Sequence, residues 1–220
     1  MTFSIVARDP RTGAFGVATA TGGPAVGSLV PYARAGVGAV ATQGYTTNPQ
    51  YGFGGLDAMA RGVTSHEALD RLTSADAGRQ RRQCVMIDRE GRTAAWTGEE
   101  IAEVRGALTR DGVAVAGNLL ASPQVLKDMM SAFEKAPGLP LADRLLAAML
   151  AGEKAGGDSR GTRSAALKVY DTEDYPAVDL RVDWSVAPIE DLGKVLAATR
   201  EDDYATFFAR LPTREMPGRA

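Results

Sequence analysis

The chain offers few of the side chains on which hydrolytic chemistry usually rests. It has one histidine, His66, and one cysteine, Cys84, in 220 residues. A Ser-His-Asp or Cys-His arrangement would depend wholly on His66, and a multi-histidine metal site within one chain is excluded. His66 lies in Thr64-Ser65-His66-Glu67, whose spacing is that of a capping box, so a helix start accounts for it. Cys84 stands in Gln83-Cys84-Val85-Met86-Ile87 and reads as a small buried hydrophobe. One nucleophile needs no partner from elsewhere. Removal of Met1 would leave Thr2 with its hydroxyl beside its own α-amine, which can serve as the base. An unperturbed amine pKa of about 7.7 to 8.0 suits that task near neutral pH.

A second polar cluster is Gly156-Gly157-Asp158-Ser159-Arg160-Gly161-Thr162-Arg163-Ser164. An arginine–carboxylate clamp for a substrate acid is one reading. The other is an exposed loop between a helix and a strand, carrying a surface ion pair. Gly22-Gly23-Pro24-Ala25-Val26-Gly27-Ser28 matches neither a P-loop nor a dinucleotide fingerprint and reads as a turn.

These residues need elements to hold them. Phe3-Ser4-Ile5-Val6-Ala7-Arg8 and residues 14–21 predict a hairpin around Asp9-Pro10-Arg11-Thr12-Gly13, a run with turn chemistry. Further strands are expected at 37–43, 83–87, 93–96, 113–117 and 164–169, with a turn at Asp88-Arg89-Glu90-Gly91. Helices are expected from about 56–61, after Thr64, after Ser122-Pro123, over 141–154 and over 189–198. Hairpins alternating with helix pairs suggest antiparallel sheets covered by helices.

Composition narrows the partners. With 25 basic and 27 acidic residues, the formal net charge is −2, which gives no footprint for nucleic acid or an anionic membrane. No apolar run approaches the ~18 to 20 residues of a bilayer span, and Met1-Thr2-Phe3-Ser4 lacks the pattern of a signal peptide. A single cysteine excludes an internal disulfide and leaves the compartment open, with a cytoplasmic location as the default expectation. The length fits one domain with a loose tail from about residue 212. The 45% hydrophobic content allows a packed homo-oligomer.

Several ordered motifs resemble the DUF1028 family. They include Thr2-Phe3-Ser4-Ile5-Val6-Ala7-Arg8-Asp9-Pro10-Arg11-Thr12-Gly13, Ala25-Val26-Gly27, Val30-Pro31-Tyr32-Ala33-Arg34-Ala35-Gly36-Val37-Gly38, Thr42-Gln43, Asn48-Pro49, Tyr51-Gly52, Ala116-Gly117-Asn118-Leu119-Leu120 and Gly156-Gly157-Asp158-Ser159-Arg160-Gly161. The resemblance runs from residue 2 to about 198. It implies an α+β, four-layer αββα sandwich of two antiparallel sheets with outer helices, as in N-terminal-nucleophile hydrolases. By the same resemblance Thr2 is the nucleophile and Asn118 an oxyanion donor. Gln43, Asp158 and Arg160 adjoin or end predicted strands and are expected to converge with Asn118 on one pocket near Thr2; with Tyr51 and Ser164, from the matching motifs, they are expected to contact a small-molecule substrate. No cofactor or metal is implied. Relatives commonly carry a basic residue where this chain has Gly22-Gly23, and the first lysine here is Lys127. Arg8 or Arg34 is left to supply positive charge. The alternative is a non-catalytic ligand-binding or scaffold protein of the same fold that keeps Met1.

Overall fold

The computed structural model describes residues 2–219. The chain opens with β1 (Thr2–Arg8) and β2 (Phe15–Thr21), paired antiparallel from Thr2 opposite Thr21 to Arg8 opposite Phe15. Asp9 makes the turn: its backbone N–H donates to the Ala14 carbonyl at 2.8 Å and its carboxylate accepts from Arg11 N–H at 2.9 Å. The expected hairpin is present.

Next come β3 (Pro31–Arg34) and β4 (Gly38–Gly44), then α1 (Pro49–Ala60) and α2 (Ser65–Ser74). The chain continues through β5 (Arg82–Asp88), β6 (Thr93–Thr97), β7 (Gly106–Arg110) and β8 (Val113–Asn118). After α3 (Gln124–Glu134) and α4 (Leu141–Lys154) follow β9 (Ser164–Tyr170), β10 (Val178–Val182), α5 (Pro188–Ala198) and α6 (Asp202–Ala209). The Thr64 capping box forms as expected. Four elements, β3, β7, β10 and α6, fall where the sequence pattern predicted no element, and α1 begins at Pro49 behind an Asn48 cap rather than near 56.

The strands form a six-stranded sheet, β10-β9-β2-β1-β8-β7, and a four-stranded sheet, β3-β4-β5-β6. Every pairing is antiparallel. The period-2 alternation of strands sorts side chains into three cores. Phe3, Ile5 and Ala7 pack outward against Met129, Leu145 and Met149 of α3 and α4. Val6, Val17, Ala41, Val85 and Ala114 fill the space between the sheets. Val40, Cys84 and Met86 face Tyr51, Met59 and Leu69 of α1 and α2. The layers are therefore helix, sheet, sheet, helix. Burial of each large side chain in such a core contributes about 1.5–3 kcal/mol. Among the described residues, no helix is long and apolar enough to cross a membrane.

Candidate functional site

The period that sends Val6 between the sheets sends Ser4 and Thr2 there as well, at one end of the sandwich. Thr2 lies opposite Thr21 on β2 and Asn118 on β8, and its Oγ1 donates to Thr21 Oγ1 at 3.3 Å. From the second sheet, Gln43 on β4 reaches across. Its Nε2 donates to the Thr2 carbonyl at 3.1 Å and to Gln83 Oε1 at 2.7 Å. Its Oε1 accepts from Ser4 Oγ at 2.6 Å, and Ser4 Oγ is 2.8 Å from Thr19 Oγ1.

Gln83, on β5 opposite Gln43, is the hub. Its Oε1 accepts from Gln43 and from Asn118 Nδ2 at 2.9 Å. Its Nε2 is shared among Thr97 Oγ1 at 3.0 Å and the carbonyls of Gly106 at 3.1 Å and Gly117 at 2.9 Å. Ser4, Thr19 and Gln83 are wholly buried, Gln43 and Asn118 nearly so, and Thr2 is 5% exposed. Buried amides and hydroxyls are tolerated only when hydrogen-bonded, and here they satisfy one another without a formal charge.

The charged part lies just beyond, in the loop after α4. Asp158 forms an isolated bridge with Leu120. Its Oδ2 accepts from the Gly22 backbone N–H at 2.7 Å and from Arg160 Nη2 at 2.9 Å. Its Oδ1 accepts from the Arg160 backbone N–H at 3.0 Å and from Nε at 3.1 Å. Burial pushes the Asp158 carboxyl up, but Arg160 and the Gly22 N–H outweigh it and hold it below its ordinary value. The guanidinium considered for a substrate acid thus forks onto Asp158. Gly22 explains its own identity: a Cβ there would lie 2.8 Å from the Gly161 carbonyl and 3.0 Å from Asp158 Oδ2. No side chain, basic or otherwise, fits. Ser164, opposite Thr21 on β9, donates to the Gly23 carbonyl at 2.7 Å and accepts from Val26 N–H at 3.1 Å, fixing the same loop.

Thr2, Gln43 and Asn118 therefore share one end of the sandwich, with Asp158, Arg160 and Ser164 around the segment that leaves Thr21. Tyr51 is not with them. It is 1% exposed in the core between α1, α2 and the outer face of the second sheet, and its hydroxyl donates to Asp76 Oδ2 at 2.9 Å. Arg8 and Arg34 do not supply charge to this end either: Arg8 closes the far end of β1, and Arg34 pairs opposite Gly38, the far end of β4, where it bonds Asp57. Cys84 is wholly buried toward the helices, and burial pushes its thiol up, away from nucleophilic use. Met1 lies outside the described residues. Among those residues no cluster of three or more His, Cys, Asp or Glu side chains could hold a metal.

Sequence reasoning missed Gln83, Ser4, Thr19 and Thr21. Their signal is a polar residue at an inward position of an otherwise apolar strand, repeated on neighbouring strands.

The family described as "Family of unknown function (DUF1028)" matches residues 2–192. A crystal structure of protein SPO2555 from Silicibacter pomeroyi, assigned to that family, is similar with a TM-score of 0.92 at 36% identity, covering 99% of this chain and 98% of that one. Anbu (ancestral beta-subunit) from Yersinia bercovieri gives a TM-score of 0.41 at 11% identity over 96% of this chain and 98% of that one, a likeness too weak to argue from. No curated protein matches. With 191 of its 220 residues matched by the family, the chain belongs to DUF1028.

Proposed function

We propose that this protein is an amidohydrolase acting on a small molecule, with Thr2 as its nucleophile once Met1 is removed. The observation that carries this reading is the position of Thr2 Oγ1 at the polar end between the sheets, 3.3 Å from Thr21 Oγ1 and in register with Asn118. In the mechanism, the hydroxyl attacks the amide carbonyl and passes its proton to the α-amine of the same residue. Nucleophile and base then need no assembly from separate elements, which removes an entropic part of the barrier. Asn118 uses one N–H on Gln83, and its second is a donor for the developing oxyanion. One such donor is worth about 10²- to 10³-fold in rate. Collapse expels the amine, protonated by the Thr2 α-ammonium, and leaves an ester on Oγ1. Water, deprotonated by the same α-amine, then cleaves the ester.

The test is a screen of N-acyl and N-carbamoyl amino acids on protein whose mass shows Thr2 first. Turnover lost in Thr2→Ala supports the reading, and turnover unchanged in that variant ends it. The near-complete burial of Thr2 and the mutual satisfaction of Gln43, Gln83 and Asn118 favour a second reading, a non-catalytic scaffold in which this cluster only joins the sheets. That reading goes with a retained Met1.

A further inference from the structure

Among the described residues, the buried side-chain polar atoms without a hydrogen-bond partner are Arg8 Nε and Arg144 Nε. Both residues line one cavity of about 410 Å³ at the end of the sandwich away from Thr2. The seven residues of β1 separate the two ends by about 20 Å at ordinary strand rise. Three hairpin turns and the end of α3 wall the cavity. The turns are stitched together: Arg8 N–H donates to the Gly112 carbonyl and Gly112 N–H to the Gly91 carbonyl, each at 2.9 Å.

Arg144 is 8% exposed. Its guanidinium stacks on Phe133, with Cζ 3.9 Å from the ring centroid, and its hydrogen bond is a long one, Nη2 to the Phe133 carbonyl at 3.4 Å. Neither Arg144 nor Arg8 has an ion pair among the described residues. Asp9, on the same cavity, is held by Arg11 through Nε at 3.2 Å and Nη2 at 2.9 Å. Burial pulls the Arg144 pKa down, yet a guanidinium stays cationic at neutral pH. Asp9 acts on Arg144 only at a distance, its carboxylate being committed to Arg11; a buried cation without an ion-pair contact is costly, and a cavity beside it admits an anion.

Apart from Arg11, which is paired with Asp9, the exposed rim has the opposite sign. Glu90, Asp111 and Glu134 are exposed there and unpaired among the described residues. A simple anion would gain at the arginines and be repelled at the rim, whereas a molecule with both charges gains at each. We propose that this cavity binds a free amino acid, its carboxylate on Arg8 and Arg144 and its ammonium toward Glu90, Asp111 and Glu134. The volume is in the range of small-molecule sites, and bidentate carboxylate recognition is what the guanidinium fork provides.

The experiment is thermal unfolding of the full chain with each of the protein amino acids in turn. Their N-acetyl and carboxamide forms serve as controls, together with sodium acetate and sulfate. At about ten times its Kd, the preferred amino acid should raise Tm by roughly 3 to 6 °C. Removing either charge should weaken binding at least about tenfold, the size of one charged hydrogen bond. Arg144→Met and Arg8→Gln should abolish the shift, and Thr2→Ala, at the other end, should keep it. No shift with any amino acid, an equal shift with acetate or sulfate, or a shift that survives both arginine substitutions would overturn the proposal. Should Arg144→Met fail to fold, the partly exposed Arg8→Gln and the derivatives still decide it.

Discussion

At the Thr2 end, uncharged side chains from six strands hydrogen-bond one another; at the Arg8 end, charged side chains surround a cavity and two buried guanidinium nitrogens have no partner among the described residues. Both ends sit on the same strands, so the sheets do not dictate the difference. A satisfied neutral network is rigid and presents a hydroxyl at a fixed place, which suits chemistry on Thr2. An unsatisfied charged cavity is incomplete without a partner, which suits binding.

The largest effect expected is on activity. Thr2→Ala should lower turnover at least about 10³-fold, as loss of a nucleophile does, while its lost hydrogen bond costs only about 1 kcal/mol of stability. Thr2→Ser should retain part of the rate. The rate should rise as the α-amine loses its proton, with an apparent pKa at or below about 8 in a pH–kcat/KM profile.

Gln83→Leu should be the most destabilising change at this end, by about 3 kcal/mol in urea unfolding. It strips partners from Gln43, Asn118 and the Gly106 and Gly117 carbonyls together. If it costs less than about 1 kcal/mol, the hub is not one. Asp158→Asn should cost about 2 kcal/mol near neutral pH through the Gly22 and Arg160 bonds. The sign follows from its depressed folded pKa against an ordinary 3.8: the wild-type contribution is full above that value and is lost as pH falls through the folded pKa. The variant should therefore lose less stability than wild type in acid titration below about pH 4. The smallest change belongs to the other end. Arg144→Met, without ligand, should be neutral or stabilising by up to about 1 kcal/mol, because it removes a buried charge that lacks an ion-pair partner. A loss of several kcal/mol would mean that the protein itself already satisfies that charge.

How much of this was legible in the sequence tracks where each element sits. The interior strands β1, β2, β4, β5, β8 and β9 are buried on both faces and read as apolar runs. The missed strands, β3, β7 and β10, are all sheet edges, where Pro31, Thr109 and Asp179 blunt the pattern, as edges tend to be blunted. The start of α1 was obscured by Gly52, Gly54 and Gly55. At Gly52 a Cβ would lie 2.3 Å from the Tyr32 ring, so packing against β3 excludes a better helix former. Of the site, Gln43, Asn118 and Asp158 were visible as polar residues at the ends of apolar runs. Gln83 was not, because its role arises from register between β4 and β5. Tyr51 was drawn into the site by its motif alone and belongs to the helix-side core.

Everything assigned to the Thr2 end requires a free amine on that residue. Intact-mass spectrometry of the protein purified from its native host, on the fraction that carries activity, reads this directly. The account predicts a single species shorter by one methionine residue, with Thr2 first. Turnover by protein that retains Met1 would contradict it.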